Sequence, residues 1–380
     1  MKWSFRIARI SGIDVRVHAA FALAVIYFAT GFALGHGLGG ALFGVLLVCL
    51  LLCSLMLHEL GHGLTAQRFG VSVSEIVLLP IGGVARLSSE PRRPLHELLI
   101  ALAGPSVNVV LALCAWLLLA HYQVPLDTSD WDELAEPTAI GPMALLRAFF
   151  WGNAALASFN LLPALPMDGG RILRALLGLG VGRSRATRIA AGVGQLIAMG
   201  LVAIALKRDS GLLAMVGMFV FVGAAQERAS ERASELLSQL RAGEVCDPNA
   251  VVFAPHEQVG HVLDTLVRCS QEHFAVFYGK ELVGTLGREQ ALALAPRLGL
   301  EAPVSSLMRR ELHPVDAGAP LDEVRRHLLE LGGRPVVVRT LTGYAGVLGV
   351  QDIQRITAVA ERLAQAGIRR PQALPDPALH

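Results

Sequence analysis

Over the first 226 positions apolar residues mostly do not alternate with polar ones; they run together. No Asp, Glu, Lys or Arg occurs from Val17 to His58, and further uncharged stretches cover Leu98–Leu126, Ala148–Met167, Ile189–Leu206 and Ser210–Gln226. A helix crossing the hydrocarbon core needs about 20 apolar residues, and the first run, interrupted by Gly35–Gly40, is long enough for two. Six membrane-spanning helices are expected. Between the second and third, "VSVSEIVLLPIGGVARLSSE" alternates β-branched with small residues and contains Pro80, Gly82 and Gly83, which predicts short strands and a turn. Such strands cannot face lipid unpaired, so they belong at the cytoplasmic interface or along a cavity.

After Gln226 the material changes. "ERASERASELLSQLRAG" is a charged, Ala-rich helical linker, and a soluble domain begins near Glu244. Within it two stretches align at an offset of about 62 residues. Each predicts an amphipathic helix, an apolar strand, a turn, a second strand ending in Gly and another helix. The expected organisation is a membrane domain over 1–228, a linker over 229–243, repeats over 244–300 and 301–358, and a tail over 359–380. The repeats resemble the tandem cystathionine-β-synthase-type (CBS) regulatory module. The fold class is thus a polytopic α-helical membrane protein with six transmembrane helices and a short β element between spans two and three, plus a soluble α/β tandem CBS module.

Composition agrees: 53% of residues are apolar and 17% charged, and the mean hydropathy of +0.52 is high for a soluble domain. A formal charge of +2, without a basic patch interleaved with aromatics, argues against nucleic acid as a partner. The basic N-terminal stretch has no apolar segment of signal-peptide length, so the first helix is expected to be retained. Lys2, Arg6, Arg9 and Arg16, the Arg68–Arg93 connection and the Arg171–Arg188 stretch are basic, whereas "HYQVPLDTSDWDELAEPTAIGPM" is acidic. The positive-inside rule then places both termini of a multi-pass protein on the cytoplasmic side of the cell (inner) membrane. The five cysteines form no CxxC pair and read as small apolar residues of a reducing compartment.

One apolar run keeps ionisable groups. In "LLCSLMLHELGHGL", His58 and His62 are four apart and share a helix face, the spacing that grips one metal ion. Glu59, beside the first His, is placed to act on a metal-bound water. Nitrogen ligands suit zinc, and a catalytic zinc needs a third protein ligand and an open position. An ionisable group at the bilayer centre costs about 2.5–3.5 kcal/mol, so three together call for a shared partner. Asp168, in "SFNLLPALPMDGGR", is the only acid between Glu136 and Asp209 and ends the uncharged run of span four. Its alternative role is to cap a helix beginning at Arg171. Asn160 can donate to a peptide carbonyl or an oxyanion, or hold two helices together. His18, His36, His96 and His121 sit at expected helix ends and read as structural.

"RISGIDVRVH", "HELGHG", "PIGGVARL", "AGPSVN", "NLLPALPMDGG" and the soluble repeat, in this order, resemble the site-2 proteases, intramembrane zinc metalloproteases, in their six-span branch with a C-terminal CBS pair. The resemblance implies one Zn2+ per subunit on His58, His62 and Asp168, Glu59 as general base and Asn160 as a substrate or oxyanion contact. Gly104, Pro105 and Asn108 would match the family's third-helix motif, and "PIGGVA" would offer an edge to an unwound substrate. Substrates would be transmembrane proteins, such as anti-sigma factors or membrane-bound transcription regulators. Nucleotide-binding CBS halves carry Ser or Thr and then an Asp for the ribose. Gly287, Gln290 and Gly349 depart from that pattern, which argues against adenine-nucleotide sensing and leaves Asp352 as the candidate cofactor position. The pair is also a candidate for homodimerisation. The alternative reading is a CBS-regulated divalent-metal transporter or channel, although no inverted repeat is visible.

Overall fold

The computed structural model describes residues 3–80, 82–87, 93–126, 140–247, 249–341 and 343–366. Most of the acidic connection (127–139) and the end of the tail (367–380) lie outside the described residues. The chain divides into two units, Met1–Ala229 and Ser230–His380.

The first unit opens with a hairpin that the apolar runs do not announce. Strands β1 (Ser4–Ile10) and β2 (Ile13–His18) pair antiparallel. They turn at Ser11 and Gly12, whose φ values of 50° and 83° are those of a two-residue hairpin loop. Alternation in "FRIARI-SG-IDVRVH" is the signal. Helix α1 (Phe21–Arg68) follows and breaks at Gly37, with φ 60° and ψ −144°. Its two arms double back on each other: a Cβ on Gly40 would stand 2.7 Å from the Phe32 carbonyl carbon, and one on Gly44 2.5 Å from the Phe28 oxygen. Only glycine lets the backbones approach so closely. The first apolar run is therefore a helical hairpin.

Strands β3 (Val73–Leu79) and β4 (Gly82–Leu87) occupy the segment read as strands. Because α1 returns the chain to the same end, β3 pairs parallel to β2, giving the order β1-β2-β3-β4. One sheet face, with Ile13, Val15, Ile76 and Leu78, packs on Leu55, Leu60 and Ala66 of α1 and Ile100. Helices α2 (Pro94–His121), α3 (Pro142–Asn160), α4 (Asp168–Val181), α5 (Arg183–Arg208) and α6 (Gly211–Ser238) complete the unit and lead out of it. Among the described residues α1, α2, α5 and α6 are long and apolar enough to cross a membrane. Helix α3 stops at Asn160. Asp168 thus does not end the fourth apolar helix; it opens the next one, because Pro163 and Pro166 interrupt the chain between them.

The second unit contains both repeats. The first runs β5 (Val252–Phe253), α7 (Val259–Arg268), β6 (His273–Tyr278), β7 (Glu281–Gly287), α8 (Arg288–Leu298). The second runs β8 (Pro314–Asp316), α9 (Leu321–Glu330), β9 (Val336–Thr340), β10 (Gly343–Leu348), α10 (Val350–Gln365). Each half builds one three-stranded sheet, β5-β6-β7 and β10-β9-β8, with its first two strands parallel. The apolar stripes of α7 and α9 bury Val259, Val262 and Leu266 in one core and Leu321, Val324 and Leu328 in the other.

Candidate metal centre

His58 and His62 lie one turn apart on the second arm of α1, both buried, their rings edge to face at 4.8 Å. Each ring has its Nδ1 side occupied. His62 Nδ1 is 2.7 Å from the carbonyl oxygen of Ile100, which can only accept, so Nδ1 carries the proton. His58 Nδ1 lies 2.9 Å from Asn108 Oδ1, whose Nδ2 in turn donates to Asn153 Oδ1 at 3.4 Å. Asn153 donates its own amide to the Phe149 carbonyl. With protons on both Nδ1 atoms, the two Nε2 atoms present lone pairs, and they face each other at 3.1 Å. Asp168 Oδ2 stands 3.3 Å from His58 Nε2 and 3.1 Å from His62 Nε2.

In the tautomer with both protons on Nδ1, the three facing acceptors are suited to share one cation. His58, His62 and Asp168 bring their ligand atoms within 4.8 Å of one another. Two imidazoles and a carboxylate form a donor set that suits zinc and leaves a fourth tetrahedral position open. Helix α2 keeps the space clear. A Cβ on Gly104 would collide with the His62 ring and stand 2.8 Å from His58 Nε2. The residues fit the metal that the sequence pattern implies.

Asp168 is held from both sides. Gly169 and Gly170 allow the turn of α4 to lie on the backbone of Leu161–Leu165, where a Cβ on Gly170 would be 2.5 Å from the Ala164 carbonyl carbon. Met167 is the N-cap of α4, so Asp168 is its first helical residue; the carboxylate turns to the imidazoles, with Arg171 Nη1 at 3.8 Å from the other oxygen.

Glu59 lines a cavity of about 700 Å³ together with His58, His62, Asp168 and Asn160, walled by side chains such as Phe28 and Leu51. Strand β4 runs beside this carboxylate: a Cβ on Gly83 would be 2.5 Å from Glu59 Oε1. Among the described residues β4 has a strand on one side only. Asn160 donates Nδ2 to Leu156 of its own helix at 3.0 Å.

Asn153 was not singled out by the sequence pattern. It is fully buried and completes the hydrogen-bond chain behind His58, and no local pattern in the sequence marks it. Among the other histidines, His18 Nδ1 accepts the Ala20 amide, His96 stacks on Phe69, and His121 lies against Tyr122.

Asp352 belongs to the second unit. Its carboxylate accepts the Gly349 amide at 2.9 Å and meets His273 Nδ1 of the first repeat and Arg355, both at 3.2 Å. Burial pushes its pKa up, but the His273 and Gly349 hydrogen bonds outweigh it and hold the group below the usual carboxylate range. The His273 ring fills the space over Gly349, where a Cβ would stand 2.5 Å from Nδ1. Gln290, the equivalent position of the first repeat, receives Arg309 Nε at 2.9 Å and donates to the Leu307 carbonyl.

Peptidase family M50 matches residues 46–203, and the CBS domain matches residues 304–358. The zinc metalloprotease MJ0392 of Methanocaldococcus jannaschii is 31% identical over 287 residues, covering 76% of this chain and 79% of that protein. Stage IV sporulation protein FB of Bacillus subtilis is 31% identical over 120 residues, 31% of this chain and 36% of that one. The solved site-2 protease from Methanocaldococcus jannaschii is 35% identical and covers 60% of this chain and 95% of its own, with a TM-score of 0.44. The chain belongs to peptidase family M50, the site-2 proteases, and carries a CBS module behind its membrane unit.

Proposed function

We propose that this protein is a zinc-dependent intramembrane endopeptidase that hydrolyses a peptide bond within or near the transmembrane segment of a membrane-protein substrate. The observation that carries the reading is the convergence of two imidazole Nε2 atoms and one carboxylate, with Glu59 on the same cavity. His58, His62 and Asp168 would hold the metal, one ion per subunit. When bound, zinc supplies a Lewis acid and lowers the pKa of water to about 7. Glu59 then takes the proton of the attacking water and returns it to the leaving amine. Asn160, released from Leu156, donates to the developing oxyanion. The free edge of β4, against Glu59 through Gly83, binds the unwound substrate by main-chain pairing, which keeps the scissile carbonyl extended and in reach.

The membrane arrangement that suits this chemistry has six spans: the two arms of α1, then α2, α3, α5 and α6, with both termini in the cytoplasm. Four apolar helices, one of them a hairpin, support it. Substrates of this kind include anti-sigma factors and membrane-bound transcription regulators, and the CBS pair would act as the regulatory and dimerising part. A nucleotide ribose at Asp352 would have to displace His273.

The test replaces Glu59 with Gln and follows a tagged transmembrane substrate in reconstituted membranes. Cleavage should stop while one zinc per chain is retained. Continued cleavage by a zinc-loaded Glu59→Gln protein would remove Glu59 from its role.

A further inference from the structure

Helix α4 opens with Asp168 and carries Arg174 less than two turns later. Arg174 is 5% exposed, yet its guanidinium reaches two other helices. Nε and Nη2 meet Glu97 Oε1 of α2 at 2.7 and 2.5 Å, and Nη1 meets Glu227 Oε1 of α6 at 2.6 Å. Glu97, 3% exposed, also lies 3.6 Å from Arg183 at the start of α5. Each carboxylate of the cluster has a guanidinium partner.

Such a cluster is poor evidence for stability. Desolvating each charge costs several kcal/mol, and well-packed apolar residues of similar size are often as good or better. What a planar guanidinium adds is direction: hydrogen bonds from one fork to carboxylates on two helices fix rotation and translation together. Helix α4 needs that. Its far half leaves Leu176, Leu179 and Val181 exposed, so those three side chains do not help to fix its register. A ligand carboxylate, however, must be held to within about 0.5 Å.

We propose that Arg174 is a positioning residue for the metal centre: through Glu97 and Glu227 it fixes α4 against α2 and α6 and so holds the Asp168 carboxylate against His58 and His62. Displacement of α6 is then felt at Asp168 through the same guanidinium. The proposal rests on the zinc reading of His58, His62 and Asp168.

The test measures zinc affinity by chelator competition, thermal stability, and kcat and KM separately, on the detergent-solubilised full chain. Arg174→Met alone strands a buried carboxylate and can misfold, so the informative variants are the double replacement Glu97→Met/Arg174→Met and the milder Glu227→Gln, at a side chain 34% exposed. The double variant should melt at or above the wild-type temperature yet bind zinc about 10- to 100-fold more weakly, with a lower kcat and an unchanged KM. Glu227→Gln should keep its fold and weaken zinc by about tenfold. Wild-type zinc affinity and kcat in either variant would overturn the role of Arg174. Asp168→Asn, measured beside them, separates the two ideas. If the wild type binds no zinc, or Asp168→Asn binds it equally well, the zinc reading fails.

Discussion

Gly104→Ala adds one carbon at the centre of the metal site. Its Cβ would overlap the His62 ring and stand 2.8 Å from His58 Nε2. Neither ring can yield freely: His62 is tied to the Ile100 carbonyl at 2.7 Å and His58 to Asn108 at 2.9 Å. The α2 backbone, packed against the same arm of α1, would have to shift instead. Adding a methyl group to a filled site costs about 1–3 kcal/mol. Where the strain falls on the imidazoles it appears as weaker metal binding, and at about 1.4 kcal/mol per tenfold that is roughly a 5- to 140-fold loss of zinc affinity. The assay is chelator competition on the purified full chain, paired with thermal unfolding in excess chelator. Gly200→Ala is the control, because nothing lies within 4 Å of a Cβ there, and alanine in a helix interior gains about 0.5–1 kcal/mol over glycine. Wild-type zinc affinity in Gly104→Ala would refute the geometry. Equal losses in Gly104→Ala and Gly200→Ala would show a general effect of the added methyl group and not the cradle.

Asn153→Ala should lower zinc affinity by about tenfold without touching a ligand, since it removes the acceptor for Asn108 and loosens the bond that holds His58; chelator competition reads it, and no change would show that Asn108 needs no support. His273→Ala uncovers the Asp352 carboxylate, so calorimetric titration with AMP should show tighter binding than the wild type, and the gain should vanish when Asp352→Ala is added. Asp352 also sets an acid limit. Its pKa is lowered in the folded state, so its contribution is fully present above the ordinary carboxylate range and is lost as pH falls below about 4 toward the depressed value. Asp352→Asn should flatten that part of the stability profile, as melting temperatures over an acid series will show.

What could be read in advance followed the strongest periodicities. The uncharged runs marked the apolar helices, and the interruption at Gly35–Gly40 marked the turn of α1, because Gly37 takes a left-handed φ there. Histidines four apart marked their own shared face. Asp168 was findable as the lone acid of a long stretch, and a helix start near it was legible too, although α4 begins at Asp168 itself rather than at Arg171. The β1–β2 hairpin was hidden by the long apolar run behind it, although its alternation and Ser11-Gly12 turn are plain on their own terms. Asn153 and Arg174 were invisible for another reason. Their partners, Asn108 and Glu97 with Glu227, lie 45, 77 and 53 positions away, and side-chain pairing at that separation leaves no local pattern.

The buried polar groups of the membrane unit fall into two sets that meet at one helix. One set, Asn153, Asn108, His58, His62 and the Ile100 carbonyl, is a chain of hydrogen bonds that holds the two imidazoles by Nδ1 and leads to their facing Nε2 atoms. The other, Glu97, Arg174, Glu227 and Arg183, is ionic, each carboxylate meeting a guanidinium. An unsatisfied group in a low-dielectric interior is costly, and the first set offers a cation two nitrogens and a carboxylate, whereas the second pairs its charges with one another. Asp168 stands between them, its carboxylate on the lone pairs and its helix on the guanidinium. The metal site thus takes its ligand chemistry from α1 and α2 and its third ligand from a helix held by charge, which is why the two sets can be altered separately by experiment.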